Sequence, residues 1–156
     1  MQPDNARRFV LDQPGGNLAL DLFVVAQHLG ALLDATLAPA GMTASLYAVY
    51  SQLAQGPHTP RQLSDSLGVR PTTLSGYLAT MAASGHTTRS RNEHDGRSSV
   101  LALTEAGRAK VGECRPLMRR AMKALNAELG TTDDVDVARA LLARIDTAIQ
   151  AASVKM

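Results

Sequence analysis

Leu18, Leu22, Val25, Leu29, Leu32 and Thr36 follow one another at steps of four, three, four, three and four residues, the spacing that lines one face of an α-helix. Asn17 stands where it can cap this helix, and Pro39 with Gly41 ends it. Leu20, Phe23, Ala26 and Leu33 add apolar positions on the other side. A helix apolar on more than one side must be covered on more than one side, which strains what one small protomer can supply. Ahead of it, the prolines and glycines of the first sixteen residues predict a flexible or extended arm.

Thr43 can cap a second helix whose inward face is Leu46, Val49, Tyr50 and Leu53, stopped by Gly56 and Pro57. Thr59 to Gln62 spells a capping box, with Pro60 at the first helical position, where its missing N–H costs nothing. Leu63 and Leu67 form the buried pair of this third helix, and Gly68 can take the left-handed conformation of a tight turn. Val69 plugs the corner, and Pro71 begins a fourth helix held inward by Leu74, Leu78 and Met81.

After Gly85 the period changes to that of strands. Thr87, Thr88 and Ser90 interleave with Arg89 and Arg91, and the return segment sets Ser99, Leu101 and Leu103 on one face with Val100 and Ala102 on the other. Asn92 to Arg97, containing Asp95-Gly96, makes the turn between them. Thr104 caps a fifth helix with Glu105 in its first turn; its stripe is Val111, Cys114, Met118 and Leu125 with Met122 beside them, and Pro116 should kink it. Thr131 or Thr132, followed by Asp133 and Asp134, opens a last helix whose buried face is Val135, Ala138, Leu142, Ile145 and Ile149.

Two short helices, a longer helix and a β-hairpin are the order of a winged helix-turn-helix. The fold class expected is therefore mainly α with a small β-wing, flanked by N- and C-terminal helices. The expected organisation is a flexible arm over 1–16, terminal helices over 17–42 and 110–156, and a winged domain over 43–109. Composition agrees: with 3% aromatic residues and no Trp, a chain that is 45% hydrophobic must build its core from Leu, Val, Ala and Met, which suits helices. A net charge of +2 hides an uneven distribution. Residues 57–120 carry ten Lys or Arg against five Asp or Glu, net +5, and the remainder six against nine, net −3. A basic middle between acidic ends fits a central nucleic-acid surface. Thr72, Thr73, Ser75 and Gly76 face outward at the N-terminal end of the fourth helix, where short polar side chains and the helix dipole can meet phosphates and base edges.

Leu63 to Gly85, LSDSLGVRPTTLSGYLATMAASG, followed by Asp95 to Arg108, DGRSSVLALTEAGR, resembles the MarR family of transcriptional regulators. The selective half is D-x-R, then L-T after five further residues, then E-x-G-R. LAPAGMTASLYAVYSQLAQ, from Leu37 to Gln55, is similar to that family's junction of first and second helices, so the resemblance spans most of residues 18–150. It implies a homodimer whose terminal helices pair while each winged domain reads half of a pseudo-palindromic site in double-stranded DNA. It implies that Asp95 braces the wing through a salt bridge and that Arg97 reaches the minor groove; the alternative is a surface ion pair that only stabilises the hairpin. The function expected is a transcriptional regulator, a repressor released by a small-molecule ligand.

The chain also departs from the family pattern. Gly76 and Gly96 stand where the family is often basic, and no residue from Pro71 to Ser84 is charged. Attraction to DNA then leans on Arg70, Arg89, Arg91 and Arg97, with Asn92 beside the wing arginines and Thr72, Thr73 and Ser75 reading bases through hydroxyls or thymine methyl contact. That uncharged helix keeps open a different class, a winged domain that binds another protein. His28, Tyr47 and Tyr50 are the candidate polar groups of a pocket for a small aromatic or lipophilic effector. Leu18, Leu22 and Val25 with Leu142, Ile145 and Ile149 are the candidate dimer interface; the alternative is that these helices close a monomer core.

The single cysteine, Cys114, excludes an internal disulfide framework and fits a reducing, cytoplasmic compartment. On an apolar stripe it reads as a buried inert thiol, with a cysteine-based redox sensor as the alternative. His58, His86 and His94 could be imagined as a structural metal site, but they lack ligand spacing, so no metal or cofactor is expected. There is no nucleophile elbow, phosphate loop or H-E-x-x-H, hence no enzyme. No stretch approaches the ~20 apolar residues of a membrane span, and MQPDNARRFVLDQPGG lacks the apolar core of a signal peptide.

Overall fold

In the computed structural model, residues 15–91 and 98–155 are described. Most of the expected arm, and Asn92, His94, Asp95, Gly96 and Arg97 of the wing turn, lie outside them. The chain divides into two compact units, Met1–Leu117 and Met118–Met156.

The first unit opens with α1, Leu18–Leu37, where the Asn17 side chain accepts from the Ala19 amide at 2.9 Å. A single 3-10 turn, Ala38–Ala40, is closed by Gly41 at φ 61. Asp34 then accepts from the Ala44 amide at 2.7 Å, tying α1 to the start of α2, Ala44–Leu53. α3, Pro60–Leu67, begins at a complete capping box: Thr59 Oγ1 accepts from Gln62 N at 3.2 Å, and Gln62 Oε1 accepts from Thr59 N at 2.8 Å. Two orphan donors are thereby satisfied, and Gly68, at φ 62, ends the helix in the left-handed region. Ser64 Oγ donates to Val69 O, fixing the corner from which α4, Pro71–Ala83, departs.

β1, Thr87–Arg91, pairs antiparallel with β2, Ser99–Leu103, with Thr87 opposite Leu103 and Arg91 opposite Ser99. His58 adds one bridge to Leu101, its N–H donating at 3.0 Å and its carbonyl accepting at 2.8 Å, which anchors the approach to α3 on the ribbon. Leu37, Val49, Leu63, Leu74, Met81 and Cys114 are fully buried, and Leu101 and Leu103 join them from β2. Each such side chain contributes about 1.5–3 kcal/mol of burial, and together they hold α3, α4 and the ribbon as one winged helix-turn-helix.

α5, Glu105–Leu129, continues past Pro116. The ring removes the N–H that would bond the Gly112 carbonyl, but both residues are exposed and water can take its place. In the second unit, Thr131 rather than Thr132 caps α6, Thr132–Val154, in a reciprocal box with Asp134. These bonds from Thr131 to the carboxylate hold Asp134 below the usual carboxylate range.

Two expectations are corrected. The periodic face of α6 exists but is not buried: Leu142 is 56% and Ile149 52% exposed, and no α6 residue is buried. On α1 only Leu37 is buried, with Leu18 at 60% and Phe23 at 61%. Periodicity reports which side of a helix is apolar, not what covers it. Further, Leu18–Ala40 reaches a mean hydropathy of 1.5 and is long and apolar enough, by length and composition, to cross a membrane. The expectation of no such stretch missed it because Asp21, Gln27, His28 and Asp34 interrupt the apolar residues while the average stays high.

Candidate nucleic-acid interface

α4 turns Leu74, Leu78 and Met81 inward and leaves Thr72, Thr73, Ser75, Gly76, Ala79, Thr80 and Ala83 exposed. Its N-cap, Arg70, is exposed with extended backbone and makes no side-chain cap, so the guanidinium stands at the positive end of the helix. Ser75 Oγ donates to Pro71 O at 2.9 Å and Thr80 Oγ1 to Gly76 O at 3.1 Å. Those two hydroxyl protons are committed to their own helix.

In the antiparallel register Arg89 faces Leu101 and Arg91 faces Ser99, so both arginines share the ribbon face that carries Leu101 and Leu103. Arg89 remains exposed and lines a cleft of about 320 Å³ with Ser75, Leu78, Ala79, Ala82 and Thr88. The structure thus brings Arg70, Thr72, Thr73, Ser75, Arg89 and Arg91 to one winged domain, with the arginines flanking an uncharged helix. Asn92, Asp95 and Arg97 lie outside the described residues.

The candidate effector residues are placed differently from one another. His28 is exposed on α1 and Tyr47 half-buried on α2. Tyr50 is 2% exposed, and its hydroxyl is joined to His86 Nδ1 at 2.6 Å, the rings meeting edge to face at 5.8 Å. Burial, with the Cys114 thiolate as a lesser cause, pushes the Tyr50 hydroxyl up from its usual pKa. Cys114 is fully buried, and burial raises its thiol too, with nearby Lys110 pulling weakly the other way and Glu113 adding to the rise. A thiol held protonated and shielded is a poor nucleophile.

Thr104 caps α5 as expected, but sequence reasoning missed how it and its neighbours set the wing on its base. Thr104 Oγ1 donates to Gly85 O at 2.8 Å and accepts from Gly107 N at 3.1 Å; Thr104 N donates to His86 O at 3.0 Å. Arg108 donates to Leu103 O at 2.8 Å. A Cβ on Gly107 would lie 2.2 Å from His86 O, so the glycine of E-x-G-R is there for close approach. The repeated motif letters were the available signal; what they oppose in space was not.

Among the described residues, a helix-turn-helix with an exposed polar second helix and an arginine-bearing two-stranded ribbon beside it define a winged helix-turn-helix protein. No family model and no curated protein matches the sequence. Solved structures do. A mutant MarR from E. coli complexed with operator DNA is 26% identical, with 82% of this chain and 92% of that one covered at a TM-score of 0.74. A probable transcriptional regulator from Pseudomonas aeruginosa is 25% identical, with 83% and 96% covered and a TM-score of 0.74. The M. tuberculosis transcriptional regulator MOSR in complex with DNA is 26% identical, with 85% and 98% covered and a TM-score of 0.71. The chain has the winged-helix fold of these MarR-type transcriptional regulators and is similar to them over more than four-fifths of its length.

Proposed function

We propose that the protein regulates transcription by binding duplex DNA as a homodimer, acting as a repressor that a small lipophilic or aromatic molecule releases. The observation that carries the DNA reading is the exposed α4 flanked by Arg70, Arg89 and Arg91, in a fold whose E. coli and M. tuberculosis neighbours were solved with DNA. α4 would enter the major groove and the ribbon would lie against the adjoining backbone, where arginines supply affinity and α4 supplies sequence preference. Asn92 and Arg97, with Asp95 bracing the turn, would extend this contact into the minor groove.

Dimerisation is supported by apolar surface on α1 and, separately, on α6. Phe23, Val25, Leu29 and Leu32 on the one, and Val137, Leu141, Leu142 and Ile149 on the other, are all more than two-fifths exposed. Contiguous apolar faces of this kind mark association surfaces, and Leu18, Leu22 and Ile145 extend them. The membrane-like hydropathy of α1 has the same source and is met by a second protein surface.

An effector beside His28 and Tyr47 would press on α2, and Tyr50 would pass the displacement to His86 at the foot of β1. Such a ligand acts by favouring a spacing of the two winged domains that no longer fits DNA. The deciding experiment is a gel-shift and footprint of the purified protein on the region upstream of its own gene across a salt series. Protection that weakens steeply with salt supports the reading; no protection at low salt refutes it, and salt-independent capture of a protein partner would favour an interaction module instead.

A further inference from the structure

Gly76 occupies the middle of α4 with ordinary helical φ, is exposed, and would meet nothing within 4 Å if it carried a Cβ. No turn, strain or close contact inside the protomer calls for glycine there, and mid-helix glycine costs backbone entropy that alanine does not. The residue sits at the centre of the outward face. Thr72, Gly76, Ala79 and Ala83 follow at steps of four, three and four, opposite the buried Leu74, Leu78 and Met81. Among the described residues the space over Gly76 is therefore open to a second molecule.

The chemistry of the surrounding positions narrows what that surface is. From Pro71 to Ser84 there is no Arg, Lys, Asn or Gln, so α4 has no side chain for the two-pronged contacts that read guanine or adenine. Ser75 and Thr80 have given their hydroxyl protons to Pro71 O and Gly76 O. A hydroxyl has one proton, so while these bonds hold the two side chains offer a base lone pairs and, from Thr80, a methyl group. Thr72, Thr73, Ala79 and Ala83 add further methyl groups around the gap at Gly76. The apolar mark in the major groove that such a surface can recognise is the thymine C5-methyl.

We propose that α4 reads its operator by close backbone approach at Gly76 and by packing its methyl-bearing side chains on thymine C5-methyl groups, with no guanine-specific contact from this helix. This rests on the reading of α4 as the DNA-facing helix, and the test separates the two.

Sites are first selected with the wild-type protein from a randomised duplex library at low salt. Affinity is then measured for Gly76→Ala on the selected duplex, and for wild type on the same duplex with each dT in the α4-facing major groove replaced by dU, which removes only the methyl. Thermal melting of Gly76→Ala is recorded alongside. The expected result is a variant that melts higher than wild type yet binds on the order of tenfold more weakly, with dU substitution costing at least about threefold. A Gly76→Ala protein that binds as tightly as wild type overturns the proposal, as does unchanged affinity for the dU duplex; in both cases DNA binding itself stands. Failure to select any duplex removes the DNA reading and this proposal with it.

Discussion

Gly107→Ala adds one methyl group where α5 crosses the foot of the wing, and its cost follows from the geometry. The new Cβ would lie 2.2 Å from His86 O and 3.1 Å from both His86 C and Leu103 Cδ2, whereas ordinary contact begins at 3.4 Å. The nearest atom is backbone, so no side-chain rotation relieves it; α5 and the His86 carbonyl must part by more than an ångström. That separation breaks the 3.0 Å bond from Thr104 N to His86 O and strains the 2.8 Å bond from Thr104 Oγ1 to Gly85 O. Overpacking of this kind costs about 1–3 kcal/mol and each lost bond about 1 kcal/mol. Against this stands a helix-propensity gain of at most about 1 kcal/mol. The net expectation is a loss of about 2–3 kcal/mol, or a melting point lowered by roughly 5–10 °C. Gly112→Ala, five residues on in the same helix with open space around it, supplies the control and should raise stability by about 0.5–1 kcal/mol. Both are read by calorimetry and urea unfolding. If Gly107→Ala melts as high as Gly112→Ala, the close approach has been misjudged and the argument fails.

Arg89→Ala should weaken operator binding roughly tenfold and reduce the slope of log affinity against log salt by about 0.9, the signature of one lost phosphate contact; an unchanged slope would place Arg89 off the DNA. Leu142→Glu and, separately, Phe23→Glu should shift the protein toward monomer in sedimentation velocity, because each buries a charge in an apolar contact; a wild-type protein that sediments as a monomer at micromolar concentration would sink the dimer proposal outright. Cys114 and Tyr50 both titrate above their usual values through burial. Their contribution to stability is therefore intact below the unfolded-state pKa values and is lost as pH rises through the folded ones, so unfolding curves should show an alkaline loss that Cys114→Ala diminishes, and native Cys114 should resist iodoacetamide. Asp134 is the opposite case: its lowered pKa predicts that the α6 cap persists above the usual carboxylate range and is lost only as pH falls through the lowered value, which carboxyl NMR titration would follow.

Legibility from sequence divides along contact range. The start of α3 could be placed to the residue because Thr59, Pro60 and Gln62 satisfy one another within four positions, and the ribbon's buried face followed from the alternation of Leu101 and Leu103. The apolar faces of α1 and α6 were equally plain as periods. Their partner was not, since a stripe of Leu142, Ile145 and Ile149 looks the same whether it meets its own chain or another. Least visible was the Tyr50–His86 bond, made across 36 positions of sequence by two residues that each fit a blander description, a core-edge tyrosine and a surface histidine. On α4, absence of charge was evident in the letters, but not that Ser75 and Thr80 had spent their protons on the helix.

The placement of His86 connects these observations. Its N–H donates to Met81 O at the end of α4, its carbonyl accepts from Thr104 at the start of α5, and its ring is joined to Tyr50 of α2. The next residue, Thr87, begins β1. One residue therefore ties together the last turn of α4, the root of the wing and the start of α5, and α2 reaches it through a single side-chain bond. In the proposed DNA-binding role, with α4 uncharged, Arg89 and Arg91 supply the attraction, and the strand that carries them starts one residue after His86. The proposed effector, acting on α2, would reach the wing through the Tyr50–His86 bond.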